Sequence, residues 1–171
     1  PGHGGTDDPG SVNKEAGLTE SVLNWKVANY CKEELEKYTG IRVVLTRGEN
    51  ENPELLDRVH RATAAGAKLF VSIHMNAAST TAAKGAEVYY PNSNDGNGYD
   101  GTTTDGSAIS KEGKEVAQNI LDELVKLGLT NRGVKYKDSK YDADDIDADG
   151  RNATVYNHNE ASDYYGVIRY S

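Results

Sequence analysis

Midway along the chain, Leu69-Phe70-Val71-Ser72-Ile73 form an almost uninterrupted apolar run that leads directly into His74. An apolar stretch without period-two alternation, bounded by polar residues, is the pattern of a central strand covered on both faces. Such a strand needs helices on either side, so this run constrains the fold more than any other feature. In open α/β sheets, ligands gather beyond the strand ends. His74, followed by Met75-Asn76-Ala77, is therefore expected at such an edge.

The remaining pattern supplies the elements that such a sheet requires. Leu18, Val22, Trp25, Ala28, Cys31, Leu35 and Tyr38 recur every three or four residues, which predicts a helix over Thr19–Tyr38 with Thr19 as N-cap and Gly40 as its stop. A short strand is expected over Ile41–Leu45. Asn52 is read as the cap of a second helix with Pro53 at its first position. Its buried side would be Leu55, Leu56, Val59, Ala62 and Ala65, leaving Arg58 and Arg61 to solvent. A further strand is expected at Ala86–Tyr90, a surface loop at 91–106, and a helix at about Ser107–Leu127. The core face of that helix would be Ile109, Val116, Ile120, Leu121, Leu124 and Leu127. Asn131-Arg132-Gly133-Val134-Lys135 reads as a basic turn, 137–163 as a long polar insertion, and Gly166–Tyr170 as a last strand. Strands alternating with helices predict a mostly parallel twisted sheet with helices on both faces, a phosphorylase/hydrolase-like three-layer α/β sandwich in a single domain spanning 1–171.

Composition narrows the function. The chain has 171 residues and a formal net charge of −8, so it lacks the basic surface that a phosphate backbone requires, and nucleic acid is excluded as a partner. No apolar run approaches the roughly 20 residues of a membrane span. The single cysteine, Cys31, rules out an internal disulfide framework and a cysteine-based zinc site. It falls on the apolar stripe of the first helix and reads as a small core residue. A metal here must be held by His, Asp or Glu. Tyrosine occurs 11 times, which suits contact with sugar or peptide and equally suits interfacial core positions.

Two such residues lie in the first twenty. His3 sits in the turn Pro1-Gly2-His3-Gly4-Gly5, and Glu20 follows Leu18-Thr19 at a helix start. The glycine spacing does not match a phosphate-cradling G-x-x-x-x-G-K-[ST] loop. With His74, they make two histidines and a carboxylate, a set that holds zinc in hydrolases while leaving a position for water. Each residue taken alone also fits a structural role: a satisfied histidine at a strand end, or a glutamate partnering a helix dipole. In the acidic stretch, Asp145-x-Asp147-x-Asp149-Gly150 starts like a calcium loop, but Tyr156 stands where the bidentate glutamate belongs. That stretch reads as a solvated loop or as one lining a groove. His158 is read as a surface loop residue, with substrate contact as the alternative; nothing around Glu160 supports it as a general base; and His60 is read as structural.

Pro1-Gly2-His3-Gly4-Gly5, then Leu18-Thr19-Glu20, then Ser72-Ile73-His74-Met75-Asn76-Ala77 resemble the zinc-dependent N-acetylmuramoyl-L-alanine amidases of the Amidase_3 type. The resemblance continues through Leu45-Thr46-Arg47, Leu56-Asp57-Arg58, Gly85–Tyr90, Asn131–Lys135 and Tyr165–Arg169, in order and over nearly the whole chain. It implies hydrolysis of the amide between N-acetylmuramic acid and L-alanine in peptidoglycan. It also implies zinc held by His3, Glu20 and His74, and substrate contact by Asn76 and Arg132. The implied setting is the bacterial cell wall, outside the cell, with the protein acting as a monomer. The family pattern has a strand before Pro1 and a strand ending in a catalytic glutamate beyond Ser171, so the fold is expected to be incomplete at both ends and the polypeptide poorly active by itself. A non-catalytic peptidoglycan-binding or regulatory module of the same fold is the alternative. A zinc carboxypeptidase is disfavoured, because its His-x-x-Glu spacing is missing.

Overall fold

The computed structural model describes residues 1–78, 80, 82–91 and 106–136, with the side chains of 106–110 excepted. In chain order the elements are β1 (Val12–Asn13), β2 (Leu18–Thr19), α1 (Glu20–Leu35), α2 (Leu55–Ala64), β3 (Ala86–Tyr89), α3 (Gly106–Lys126) and β4 (Asn131–Lys135). The chain forms two compact units that divide at Thr80, and each is described by itself. The expected insertion and last strand, with Asp142–Asp149, His158 and Glu160, lie outside the described residues, as do most of the 91–106 loop and the side chain of Ile109.

In the first unit, the glycine-rich opening contains a short strand pair. β1 and β2 pair antiparallel, Val12 with Thr19 and Asn13 with Leu18, and deliver the chain into α1. Thr19 precedes the helix in extended conformation without a side-chain capping bond. The helix ends at Leu35, short of the expected Tyr38, and Gly40 turns the chain at φ 88°. Its buried face also differs from the apolar stripe. Glu20, Ser21, Asn24 and Ala28 are buried, whereas Val22, Leu35 and Tyr38 are exposed and Cys31 lies at the surface. Spacing of three and four fits both faces; the polar face won because the Glu20 and Asn24 side chains and the Ser21 amide bond the segment Pro1–Ser11.

α2 starts at Leu55, after Glu54 rather than at Pro53. Asn52 does not cap it; its Oδ1 accepts from Arg58 Nη2 at 3.5 Å. Arg58 is buried beside Val59, contrary to the solvent-facing expectation, and Leu55 is exposed. The stretches 41–45 and 69–73 carry no strand ladder among the described residues. Leu69 is 58% exposed and Val71 is exposed as well, so this run is not a strand covered on both faces within the first unit. It is anchored at its end, where Gly2 N–H donates to the Ile73 carbonyl at 2.9 Å.

The second unit realises the β-α-β pattern. β3 and β4 run parallel, with Ala86 opposite Asn131, Val88 opposite Val134 and Tyr89 opposite Lys135. Asn131–Lys135 is thus a strand and not the expected basic turn; its polar sequence concealed a ladder whose partner lies more than forty residues away in sequence. Between the first two pairs β4 carries one residue more than β3, and Gly133 sits there at φ 95°. Arg132 Nε (3.1 Å) and Lys135 Nζ (2.6 Å) both donate to Glu87 Oε2, and together they hold its carboxyl below the usual range. α3 packs on this pair through buried Ala117 and Leu121 and ends within one residue of expectation, at Lys126. Leu127 falls past the helix end and is 80% exposed, while Leu121 is 1% exposed. The α/β class therefore stands, with a parallel pair and a covering helix.

Because Leu121 is enclosed and Leu127 is not, Leu121→Ala is expected to lower unfolding free energy by about 2–5 kcal/mol. Leu127→Ala should change it by less than about 0.5 kcal/mol. Denaturant unfolding followed by circular dichroism measures both; equal effects would contradict this packing.

Candidate metal centre

The site begins with a tight turn. Gly4 and Asp8 exchange backbone hydrogen bonds, Gly4 N–H to Asp8 O at 3.0 Å and Asp8 N–H to Gly4 O at 3.3 Å. Closing this turn places His3 at φ 53°, the one non-glycine residue in the left-handed region among the described residues. The same closure brings Asp8 Oδ1 within 2.7 Å of His3 Nδ1. A carboxylate on one ring nitrogen fixes the tautomer and turns the other nitrogen outward. His3 Nε2 accordingly faces Glu20 Oε1 at 3.4 Å.

Glu20 opens α1 and is 4% exposed. Its Oε1 faces His74 Nδ1 at 3.0 Å and accepts from the Met75 amide at 2.9 Å and from Asn24 Nδ2 at 3.4 Å. Its Oε2 accepts from the Ser11 amide at 2.9 Å. Burial alone would raise this carboxyl, but the Ser11 and Met75 amides and the His3 charge outweigh it and bring the pKa down to about 2. His74 is shifted the other way relative to charge: desolvation lowers its pKa despite the opposing pull of Glu20, which favours the neutral, ligand-ready ring. The two imidazoles meet edge to face, with centroids 5.0 Å apart.

One ligand atom from each of His3, Glu20 and His74 lies within 4.8 Å of the others. Two glycines make that approach possible. A Cβ on Gly2 would fall 2.2 Å from the His74 ring. A Cβ on Gly10 would fall 2.7 Å from both Glu20 Oε2 and His3 Cδ2. An ionised carboxylate, a neutral imidazole and a second imidazole with its far nitrogen occupied make a donor set that fits a divalent ion with an open position.

The three predicted ligands thus converge. Asn76 lies two residues past His74, on the surface of the same unit; Arg132 belongs to the second unit and pairs with Glu87. Sequence reasoning missed Asp8, Asn24, Arg47 and Arg58. Asn24 is fully buried and reaches Gly2 O at 3.3 Å as well as Glu20. Its place one helical turn after Glu20 was the available signal. Asp8 was signalled by its position closing a glycine turn begun at His3.

A family model for N-acetylmuramoyl-L-alanine amidase matches residues 1–161. The chain belongs to the N-acetylmuramoyl-L-alanine amidase family. Among relatives of this family member, amidase LytC of Bacillus subtilis strain 168 is 35% identical over 136 residues, covering 79% of this chain and 24% of LytC. The endolysin of Bacillus phage SPP1 is 34% identical over 137 residues, covering 80% of this chain and 45% of the endolysin. The chain therefore spans less than half the length of either relative. Among solved structures, the amidase of Clostridium difficile 630 superposes with a TM-score of 0.63 at 32% identity, covering 78% of this chain and 64% of that one. The catalytic domain of the amidase CwlV from Paenibacillus polymyxa gives 0.59 at 29% identity over the same shares.

The depressed Glu20 pKa has a signed consequence in the metal-free protein. Its folded value, about 2, lies below its ordinary 4.5, so the stability it confers is full above pH 4.5 and drains away as pH falls toward 2. Glu20→Gln should therefore be less stable than the parent at neutral pH, with the gap closing across that window. Urea unfolding at a series of pH values tests this; a gap independent of pH would rule it out.

Proposed function

We propose that the chain is a zinc-dependent hydrolase that cleaves the amide between N-acetylmuramic acid and L-alanine in peptidoglycan, acting as a monomer in the bacterial cell wall after export. The observation that carries this reading is the convergence of His3, Glu20 and His74, with Asp8 bonded to the far side of His3. The amidase family match supports the substrate, and relatives named as an endolysin and an amidase support the setting. Among the described residues, no helix is long and apolar enough to cross a membrane.

In this reading His3 Nε2, the Glu20 carboxylate and one His74 nitrogen hold the ion. Zinc bound there supplies a Lewis acid and a water acidified to a pKa of about 7. Asp8 holds the His3 ring through Nδ1, so Nε2 is the nitrogen turned toward Glu20 and the ion. Glu20, ionised down to a pKa of about 2, contributes a negative charge throughout the physiological range. Asn76, just past His74, and Arg132, on β4, are assigned to substrate contact.

Metal analysis of the purified protein should find one zinc per chain, with none in His3→Ala or His74→Ala; zinc retained in both variants would remove the site. Incubation of the zinc-loaded protein with purified cell wall should expose new amino-terminal alanine at a low rate, in keeping with the expected poor activity of this polypeptide by itself, detected by amine labelling and mass spectrometry. A chelator should stop this release and added zinc restore it. New reducing sugar ends without new alanine amines would point to a glycosidase and defeat the proposal.

A further inference from the structure

His3 is held in a backbone conformation that L-residues rarely adopt, so something must keep it there. Two buried arginines surround it. Arg58, 7% exposed, reaches back from α2. It donates Nη1–H to Pro1 O at 2.7 Å and Nη2–H to His3 O at 3.2 Å. Its Nε–H bonds Pro53 O at 3.1 Å and its Nη2 reaches Asn52 Oδ1 at 3.5 Å, so the fork is itself anchored at the entry to α2. Arg47, 2% exposed, donates Nη2–H to Ser21 O at 2.7 Å and to Gly2 O at 3.5 Å. Its Nη1 is fixed on the carbonyls of Gly48 and Glu49, each at 2.9 Å.

The three consecutive carbonyls of Pro1, Gly2 and His3 thus each receive a guanidinium N–H. Arg47 also joins that segment to Ser21, the residue after Glu20. A buried guanidinium whose hydrogen-bond partners are carbonyls carries a desolvation cost that the nearby Asp8 charge offsets only in part. An apolar side chain would fill the same volume more cheaply. What a rigid fork provides and an apolar group does not is a fixed distance between carbonyls on separate segments.

We propose that Arg47 and Arg58 are positioning residues for the metal centre. Arg58 locks the left-handed turn at His3, and Arg47 locks the spacing between the His3 segment and the Glu20 end of α1. This rests on the metal reading above and adds to it the groups that set ligand geometry. Lysine keeps the charge but is a single point, so it cannot bracket two carbonyls.

The test is zinc affinity of the folded full chain, measured by competition with a chromogenic chelator, with the visible spectrum of the cobalt(II)-substituted protein as a report on ligand geometry. Arg58→Lys and Arg47→Lys are expected to weaken zinc binding about 10–100-fold and to shift the cobalt bands. Lys37→Ala, which removes an exposed pair with Glu34, should leave both unchanged. If a lysine variant does not fold, the corresponding glutamine variant, which retains an amide donor, takes its place. Folded variants that bind zinc within about twofold of the parent, with unaltered cobalt spectra, would overturn the proposal and leave the metal reading intact. A parent chain that binds no zinc would overturn the metal reading itself.

Discussion

The carboxylate of Glu20 is the point on which the first unit depends. It is nearly inaccessible, yet it remains charged because backbone amides from two distant segments, at Ser11 and Met75, converge on it. A buried anion without such donors would be strongly destabilising. With them it becomes a knot joining the opening turn, the start of α1 and the end of the apolar run that carries His74. Placing the charge at a helix N-terminus adds the favourable pole of the helix dipole. The histidines are thus organised around an interaction that is already satisfied by the protein's own groups.

Around that knot, steric allowance and rigid bonding divide the work. Gly2 and Gly10 remove atoms that would otherwise occupy the space of the His74 ring and of Glu20 and His3. Asp8, Asn24, Arg47 and Arg58 then supply the bonds that prevent so open an arrangement from relaxing. A glycine-rich turn by itself is loose, because each glycine surrenders much backbone freedom on folding. The same turn with each carbonyl from Pro1 to His3 engaged has few alternatives.

The parts of this arrangement that could be read in the sequence were those with local or chemically narrow signals. The bounds of α3 follow to within a residue from its long apolar stripe. The three candidate ligands were visible as a histidine in a glycine turn, a glutamate at a helix start and a histidine after an apolar run, and the resemblance to amidases bound them into one set. What escaped was settled by tertiary contact. Arg58 looked like a solvated helix charge because spacing cannot reveal that carbonyls of an earlier turn lie above it. The apolar side of α1 looked like its buried face because periodicity counts methyl groups and not the hydrogen bonds made by Glu20, Ser21 and Asn24. β4 looked like a turn because its ladder partner is remote in sequence. Hydrophobicity alone makes the run at Leu69–Ile73 a doubly covered strand, yet its backbone tie at Ile73 is to Gly2.

The extra residue in β4 has a consequence for parity. Residues three apart in a regular strand point to opposite faces of a sheet, so Arg132 and Lys135 should look away from each other. Both nevertheless close on one oxygen of Glu87. The irregular step between the Ala86 and Val88 pairings, where Gly133 takes its positive φ, resets the alternation and turns two cations of unlike phase toward the same side. A single glycine thus lets two cations three residues apart in one short strand close on the same carboxylate, where regular alternation at that spacing would keep them on opposite faces.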